Sequence, residues 1–278
     1  MNGKLADETT DAIAGARPGP ARAFLRRHGA RMLRTLLPAS CALCGLGSDD
    51  TLCPDCAAQF FGANVTRCDC CANPLPGAVA ERQVQGHPGK PACGEPKRQL
   101  CGLCVTQPPA FDVTLTAADY AMPVDQLVLQ LKFGHRLALA ALFARLLRDA
   151  VLRQPGFVLP ALICPVPLGP RRLTERGYNQ ALEIARPLAR SLGVALHPRL
   201  TARVRETTAQ SSVAPEQRQR NVAGAFAVPD AALVRGRHIG IVDDVMTSGG
   251  TLDELAATLK RHGAARVSNL VFARTPPH

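Results

Sequence analysis

Two adjacent carboxylates stand beside a loop of small residues in the stretch IGIVDDVMTSGGTL, which covers residues 239–252. The apolar residues before Asp243 and Asp244 are typical of a buried strand, and the residues after Gly250 are typical of a helix. Glycines let the backbone approach a ligand closely, and the N–H groups at a helix start attract anions. The pattern predicts a phosphate-binding loop with acids at its edge.

The two acids would repel a phosphate in direct contact, so we expect them to bind another part of the same ligand. A vicinal diol of a sugar fits, because a carboxylate accepts hydroxyl protons, and a divalent cation is the alternative. Thr251 and Glu254 have the spacing of a capping box at the start of the following helix. A tight turn with solvated acids remains the simpler interpretation.

Ten of the 11 cysteines lie between Cys41 and Cys104. Eight of them form four C-x-x-C pairs: Cys41 with Cys44, Cys53 with Cys56, Cys68 with Cys71, and Cys101 with Cys104. Two such pairs supply the four thiolates of a structural zinc site, so we expect one or two Zn²⁺ sites. Cys70 and Cys93 leave the ligand assignment open. A disulfide framework is the alternative, and a thioredoxin-like site would need only one pair.

Composition limits the class of protein. The chain has 278 residues, 46% of them hydrophobic, and it contains neither a secretory signal nor about 18 consecutive apolar residues. We therefore expect a cytoplasmic protein without stable membrane insertion. The net charge is +11, and residues 111–278 carry 21 basic and 13 acidic side chains. This excess favours phosphate-rich ligands or nucleic acid, although a solvated arginine-rich surface explains it equally well.

From residue 111 onward, strand-like and helix-like segments alternate, which predicts an α/β fold with a doubly wound, mostly parallel sheet. We expect strands at 111–122, 161–167, 238–244 and 265–273, and helices at 123–133, 137–154, 179–193 and 251–263. Pro187 should kink or interrupt its helix.

The predicted divisions are a disordered tail at 1–20, a basic helix and cysteine-rich zinc-binding domain at 21–110 with an insertion loop at 75–99, and an α/β domain at 111–278. Walker and Rossmann loops are excluded by their spacing.

The acidic motif resembles the phosphoribosyl-pyrophosphate (PRPP) binding motif of type I phosphoribosyltransferases. Three other features narrow the resemblance to the ComF (competence protein F) family. These are the segment CPVPLGPRRLTERGYNQALEIA at 164–185, the segment RVRETTAQSSVAPEQRQRNVAGAF at 203–226, and the four cysteine pairs. The resemblance covers about residues 41–274 and implies the type I phosphoribosyltransferase fold. It also implies that the 203–222 loop is mobile and closes over PRPP.

Residue roles follow from the resemblance. It implies that Asp243 and Asp244 bind the ribose hydroxyls, and that Mg²⁺ accompanies PRPP. Thr247, Ser248, Gly249, Gly250 and Thr251 would bind the 5-phosphate, and Val245 and Met246 complete the set of PRPP-binding residues in the motif. The pyrophosphate candidates are Arg171, Arg172, Arg176 and Lys132, with Asn179 and Gln180 as polar support. We expect Asp243, Asp244, Arg172 and Arg176 to be the catalytic residues.

Two functions remain open at this stage. One is transfer of phosphoribose to an acceptor that the sequence does not identify. The other is a non-catalytic accessory role with single-stranded DNA, since the ComF resemblance implies a link to DNA uptake and the competence machinery. Aromatic residues make up only 4% of the chain and tryptophan is absent, so platforms for base stacking are scarce.

Overall fold

The computed structural model describes residues 40–62, 65–79, 98–205 and 224–276. The expected tail at 1–20 and the basic helix at 21–37 lie outside these residues, as does most of the expected insertion loop at 75–99. The beginning of that loop prediction is wrong, because Pro74–Val79 forms a strand that pairs with Val65–Arg67.

Within the described residues, nine strands and seven α-helices are numbered in chain order. The strands are β1 (Val65–Arg67), β2 (Pro74–Val79), β3 (Val113–Asp119), β4 (Leu162–Pro165), β5 (Ala195–Leu196), β6 (Ala202–Arg203), β7 (Phe226–Ala227), β8 (His238–Met246) and β9 (Arg266–Arg274). The helices are α1 (Pro54–Phe61), α2 (Gly102–Thr106), α3 (Val124–Lys132), α4 (Ala138–Arg153), α5 (Pro170–Arg176), α6 (Gln180–Leu192) and α7 (Gly250–Arg261). Every strand and helix expected after residue 110 is therefore confirmed.

The central sheet contains five strands in the order β3-β9-β8-β4-β5, and all neighbours are parallel. Helices cover both faces, which confirms the doubly wound α/β fold. Because successive side chains of a strand point to opposite faces, Val242 packs in one core with α3, α4 and α6. Ile241 packs in the other core with α7.

Helix α6 runs through Pro187 without interruption, so the expected interruption does not occur and the alternative, a kink, stays a prediction. Ile184, Ala185 and Leu188 near Pro187 are fully buried. Proline removes one hydrogen bond and crowds the preceding turn, which costs about 3 kcal/mol. Burial of this apolar face is the compensating interaction that keeps the helix continuous.

The cysteine-rich segment packs against the sheet. Phe61 of α1 lies 6.1 Å from Phe272 of β9, measured between ring centroids, and Phe272 stacks on Phe143 of α4 at 3.6 Å. Arg67 of β1 pairs with Asp119 of β3 at 2.8 Å. The predicted domain boundary near residue 110 stays a prediction.

The strand order reverses between β4 and β8. The chain passes from β4 outward to β5, and later from β8 in the opposite direction to β9. In open parallel sheets a reversal of this kind leaves a crevice at the carboxyl ends of the two strands, where ligands bind. Both edges of this crevice are candidate ligand-binding segments: the residues that follow Pro165 and those that follow Met246. Among the described residues, no helix has the length and apolar character needed to cross a bilayer.

Candidate functional site

The loop between β8 and α7 forms one edge of the crevice. Thr247 and Ser248 are exposed, and Gly249 precedes the first turn of α7. Gly249 has a φ of +87°, and a Cβ atom there would lie 2.5 Å from Cε of Met246. The backbone angle favours glycine at this position, whereas the close contact involves only the flexible end of the Met246 side chain. The loop therefore brings its backbone and the start of a helix of 12 residues to the crevice.

The expected capping box of Thr251 and Glu254 was wrong. Helix α7 begins one residue earlier, with Gly249 as its N-cap and no side-chain cap. The Glu254 carboxylate instead accepts a hydrogen bond from the backbone N–H of Gly224 at 3.1 Å and pairs with Arg261 at 3.0 Å. Glu254 thus links Gly224, just before β7, to α7. The first N–H groups of α7 have no side-chain cap.

The two acids lie on opposite faces of β8, because they are consecutive residues of a strand. Asp244 points toward α3, where its Oδ2 lies 2.9 Å from Nζ of Lys132, and only 4% of the Asp244 side chain is exposed. Each carboxylate also accepts the next backbone N–H: Asp244 N donates to Asp243, and Val245 N donates to Asp244, both at 2.9 Å.

Burial raises the pKa of Asp243 well above its ordinary value, and the neighbouring Asp244 carboxylate raises it further. The ammonium of Lys132 acts in the opposite direction. The site therefore contains one carboxylate with a direct cationic partner and a second that is costly to ionise. Such pairs of unlike acids are frequent at functional sites.

The other wall of the crevice is built by α3 and by the segment from α5 to α6. The guanidinium of Arg176 lies 5.4 Å from the ring centroid of Phe133, and its Nη1 donates to Oε1 of Gln180 at 2.5 Å. The Tyr178 hydroxyl donates to the carbonyl of Leu131. These contacts bring Arg176 and Gln180 to the end of α3 that also carries Lys132, and so toward Asp244.

The remaining predicted residues of this wall have other surroundings. Arg171 and Arg172 are exposed on α5, and Arg171 pairs with Glu175 at 2.9 Å. Asn179 caps α6 by accepting from the N–H of Ala181 at 2.9 Å, and its amide donates to the carbonyl of Val166 at 3.0 Å. Asn179 thereby ties α6 to the segment after β4, and its described hydrogen bonds go to the backbone.

The eight cysteines of the predicted pairs form two groups. Cys41, Cys44, Cys53 and Cys56 form the first cysteine tetrad, and Cys68, Cys71, Cys101 and Cys104 form the second cysteine tetrad. Within each tetrad the four Sγ atoms lie within 4.8 Å of one another. No cysteine of the described residues forms a disulfide. The Sγ of Cys70 lies 3.7 Å from the carbonyl of Phe111 and is not a member of either tetrad, and Cys93 lies outside the described residues.

Both tetrads repeat one local design, with one pair in a turn and the other at the N-terminus of a short helix. Cys53 is the N-cap of α1 and Cys101 is the N-cap of α2. Backbone N–H groups donate to sulfur, from Cys53 to Cys41 at 3.4 Å and from Cys101 to Cys68 at 3.3 Å. Although burial raises it, hydrogen bonds from backbone N–H groups bring the pKa of Cys41 down to about 6. Four convergent thiols with such donors are compatible with zinc.

Comparison with known proteins agrees with this geometry. Residues 179–277 match the family model described as the phosphoribosyl transferase domain. The chain is 37% identical over 245 residues to DNA utilization protein YhgH of Salmonella typhi, covering 86% of this chain and 98% of that protein. It is 31% identical over 205 residues to competence protein F of Haemophilus influenzae, covering 70% of this chain and 88% of that protein.

The chain belongs to the ComF family. A solved structure of glutamine PRPP amidotransferase from B. subtilis superposes on this chain with 15% identity and a TM-score of 0.31. The superposed part covers 48% of this chain and 26% of the amidotransferase chain. The sheet, the phosphoribosyl transferase domain match and the two tetrads together establish the fold of this ComF protein: a type I phosphoribosyltransferase sheet that follows a cysteine-rich segment.

One residue at the site of this ComF protein was missed by the sequence analysis. Arg274 is the last residue of β9, and its guanidinium donates to the carbonyls of Met246 at 3.0 Å and Cys71 at 3.1 Å. A charged residue directly after the apolar run LVFA was the available signal. The expected closure of the 203–222 loop over PRPP stays a prediction, since residues 206–223 lie outside the described ones.

The unlike environments of the two acids predict opposite effects on stability. A carboxyl whose pKa is raised in the folded state stabilises that state at low pH and loses this contribution as pH rises through the raised pKa. Asp243→Asn should therefore raise the free energy of unfolding at neutral pH and flatten its decline with pH. Asp244→Asn leaves Lys132 without its partner and should cost about 1–3 kcal/mol.

Urea unfolding from the lowest pH at which the protein stays folded up to about pH 8 checks both effects, because the free energy difference between variant and native protein is read at each pH. The two variants serve as matched controls for each other. A less stable Asp243→Asn protein at neutral pH would contradict the raised pKa of Asp243.

Proposed function

We propose that this ComF protein binds PRPP together with Mg²⁺ in the crevice between β4 and β8, and transfers the phosphoribosyl group to an acceptor. The observation that carries the proposal is the pair of half-buried Asp243 and buried Asp244 beside a loop that favours glycine and leads into a helix, at the reversal of strand order. The match of residues 179–277 to a phosphoribosyl transferase domain supports the same proposal.

In this proposal the 5-phosphate binds at the β8–α7 loop. The exposed hydroxyls of Thr247 and Ser248 donate to it, and so do backbone N–H groups from the loop to Thr251. Val245 and Met246 shape the strand end from which the loop departs. The ribose hydroxyls then lie over Asp243 and Asp244, where each carboxylate accepts a hydroxyl proton in a hydrogen bond. Hydroxyl donors favour the charged form of Asp243 and so offset the cost of ionising it.

The transfer step breaks the bond between C1 of ribose and the pyrophosphate oxygen. The bonding electrons leave with pyrophosphate, the ribose becomes oxocarbenium-like, and the acceptor supplies the electron pair of the new bond. Mg²⁺ would bind oxygens of the leaving pyrophosphate and neutralise part of its charge. Lys132, Arg172 and Arg176 are the cations that we assign to the remaining charge, with Arg171, Asn179 and Gln180 at the edge of the same wall.

We also propose that each cysteine tetrad holds one Zn²⁺ in a structural role. The sulfur atoms converge within 4.8 Å, and backbone N–H groups reach Cys41 and Cys68. These features suit a closed site with four thiolates and no open position. Thiolates persist in reducing surroundings, so a cytoplasmic location belongs to this proposal.

The PRPP site predicts a specific loss of binding. Native protein should give saturable heat on titration with PRPP and Mg²⁺, and Asp244→Asn should bind about 10- to 100-fold more weakly, because charge-assisted hydrogen bonds to ribose are lost. Asp125→Asn is the matched control: Asp125 lies in the first turn of α3, at the opposite end from Lys132, and affinity should be unchanged.

Release of pyrophosphate in the presence of candidate acceptors then tests turnover. If zinc-loaded, folded native protein gives no heat with PRPP and Mg²⁺, the proposed function is wrong. If binding occurs and pyrophosphate release never exceeds spontaneous hydrolysis with any acceptor, the site is a binding site only.

Metal analysis tests the tetrads. Purified protein should contain two zinc ions per chain, one for each tetrad. Cys44→Ser should lose one zinc and retain the other, because the tetrads share no residue. Cys70→Ser is the matched control and should keep both zinc ions, since Cys70 is not a member of either tetrad. Retention of two zinc ions by Cys44→Ser would contradict the assignment.

A second candidate function is binding of single-stranded DNA. Relatives of the chain are named DNA utilization protein and competence protein F, and Phe133 offers a ring that is 66% exposed beside Arg176. An exposed ring with a neighbouring guanidinium is a platform on which a base can stack. The low aromatic content leaves few other platforms.

Phe133→Ala should therefore weaken binding of a fluorescent oligonucleotide by about 1–3 kcal/mol, measured by anisotropy at several salt concentrations. The matched control is Leu152→Ala, which removes another exposed side chain, 68% exposed on α4. Binding that persists in Asp244→Asn and falls with salt would favour this function over transfer. Equal affinities of native protein and Phe133→Ala would contradict it.

A further inference from the structure

Arg274 connects two regions that are far apart in the sequence. Its side chain is buried at the end of β9, in register with Met246 at the end of β8. Nε donates to the carbonyl of Cys71, a member of the second cysteine tetrad, at 3.1 Å. Nη1 donates to the carbonyl of Met246 at 3.0 Å and also to the carbonyl of Thr247. One guanidinium thus binds the backbone of the tetrad and the backbone of the β8–α7 loop.

These hydrogen bonds fix the direction of two successive peptide groups. In a trans peptide the carbonyl and the N–H of the same plane point in opposite directions. The carbonyls of Met246 and Thr247 face Arg274, so the N–H groups of Thr247 and Ser248 face away from it. The Met246 carbonyl also accepts the N–H of Thr275 at 3.0 Å, on the β9 side of β8. The N–H of Thr247 therefore points toward β4 and the crevice.

Arg274 forms no ion pair with a carboxylate in the part of the chain described by the structure. Its Nε is hydrogen-bonded to the backbone of Cys71, so a member of the second cysteine tetrad lies directly beside the guanidinium. A zinc ion with four thiolates carries a net charge of about −2. Zinc at this tetrad would therefore place negative charge next to the buried guanidinium and fix the Cys71 carbonyl that it binds.

We propose that Arg274 is a positioning residue that couples metal binding at the second cysteine tetrad to ligand binding at the β8–α7 loop. The inference rests on the proposed function, since it takes the phosphate of PRPP as the ligand. Metal at Cys68, Cys71, Cys101 and Cys104 holds the carbonyl that anchors Arg274, and Arg274 aims the N–H groups of Thr247 and Ser248. By linkage the coupling is reciprocal, so bound PRPP stabilises metal at this tetrad by the same factor.

Arg274→Lys tests the coupling, because a lysine keeps the charge and cannot reach the carbonyls on both sides at once. Arg67→Lys is a matched control. Arg67 donates to the carbonyl of Ala72, next to Cys71, but its other partner is Asp119 rather than the loop. We expect Arg274→Lys to bind PRPP about tenfold more weakly, within the range usual for coupled sites, and Arg67→Lys to bind it as native protein does.

Two readouts do not depend on PRPP. Hydrogen exchange of the amides of Thr247 and Ser248 should become faster in Arg274→Lys and in native protein treated with a mild chelator, but not in Arg67→Lys. Release of zinc to a chromogenic chelator should become faster for one of the two ions in Arg274→Lys. In native protein, PRPP with Mg²⁺ should slow the release of that same ion.

The outcomes separate the two proposals. Absence of PRPP binding by native protein, with faster exchange and faster zinc release in Arg274→Lys, would overturn the proposed function and support the structural coupling. Unchanged exchange, zinc release and PRPP affinity in Arg274→Lys would overturn the coupling while the function stands. If Arg274→Lys does not fold, unchanged exchange of the loop amides on chelation of native protein overturns the coupling.

Discussion

The cost of placing two carboxylates at the end of a central, buried strand governs the arrangement of the site. Strand β8 lies between β4 and β9, so neither acid can turn to an open sheet edge. The alternation of side chains sends the acids to opposite faces, and among the described ion pairs only Asp244 meets a cation, at the end of α3. The short helix α3 thereby has a defined position over the sheet, and the wall with Arg176 is built against it.

The same constraint explains why the cysteine-rich segment packs where it does. The loop that follows the acids has its carbonyls directed into the protein and needs buried donors for them. Arg274 supplies these donors, and its own burial requires acceptors on the opposite side. The carbonyl of Cys71 is such an acceptor, so a turn of the second tetrad becomes part of the support of the loop. The first tetrad contributes to a different core, through Cys41, Cys56 and the neighbouring Phe61.

Much of the fold could be predicted from the sequence, because strand and helix periods differ and each element after residue 110 has a clear period. The C-x-x-C spacing also predicted all eight residues of the tetrads, since two thiols of one turn reach one point. The errors concern interactions between distant segments. Glu254 was expected to cap its own helix but binds Gly224 instead, and helix α6 continues through Pro187, with its apolar face buried. Arg274 was overlooked because its partners come from two other parts of the chain.

The distribution of cations distinguishes binding from catalysis at this site. Lys132 is held by Asp244, and Arg176 by Gln180 and Phe133, so both are in place before any ligand arrives. Arg171 and Arg172 are exposed on a helix of seven residues, so their side chains are less fixed before a ligand binds. Charged groups that are already in position lower the activation barrier, whereas groups that must be moved into position consume part of the binding energy. For the proposed ligand, with its phosphate and ribose at β8, the inner wall is therefore already formed, and the proposed transfer would depend on how fully α5 completes the outer wall.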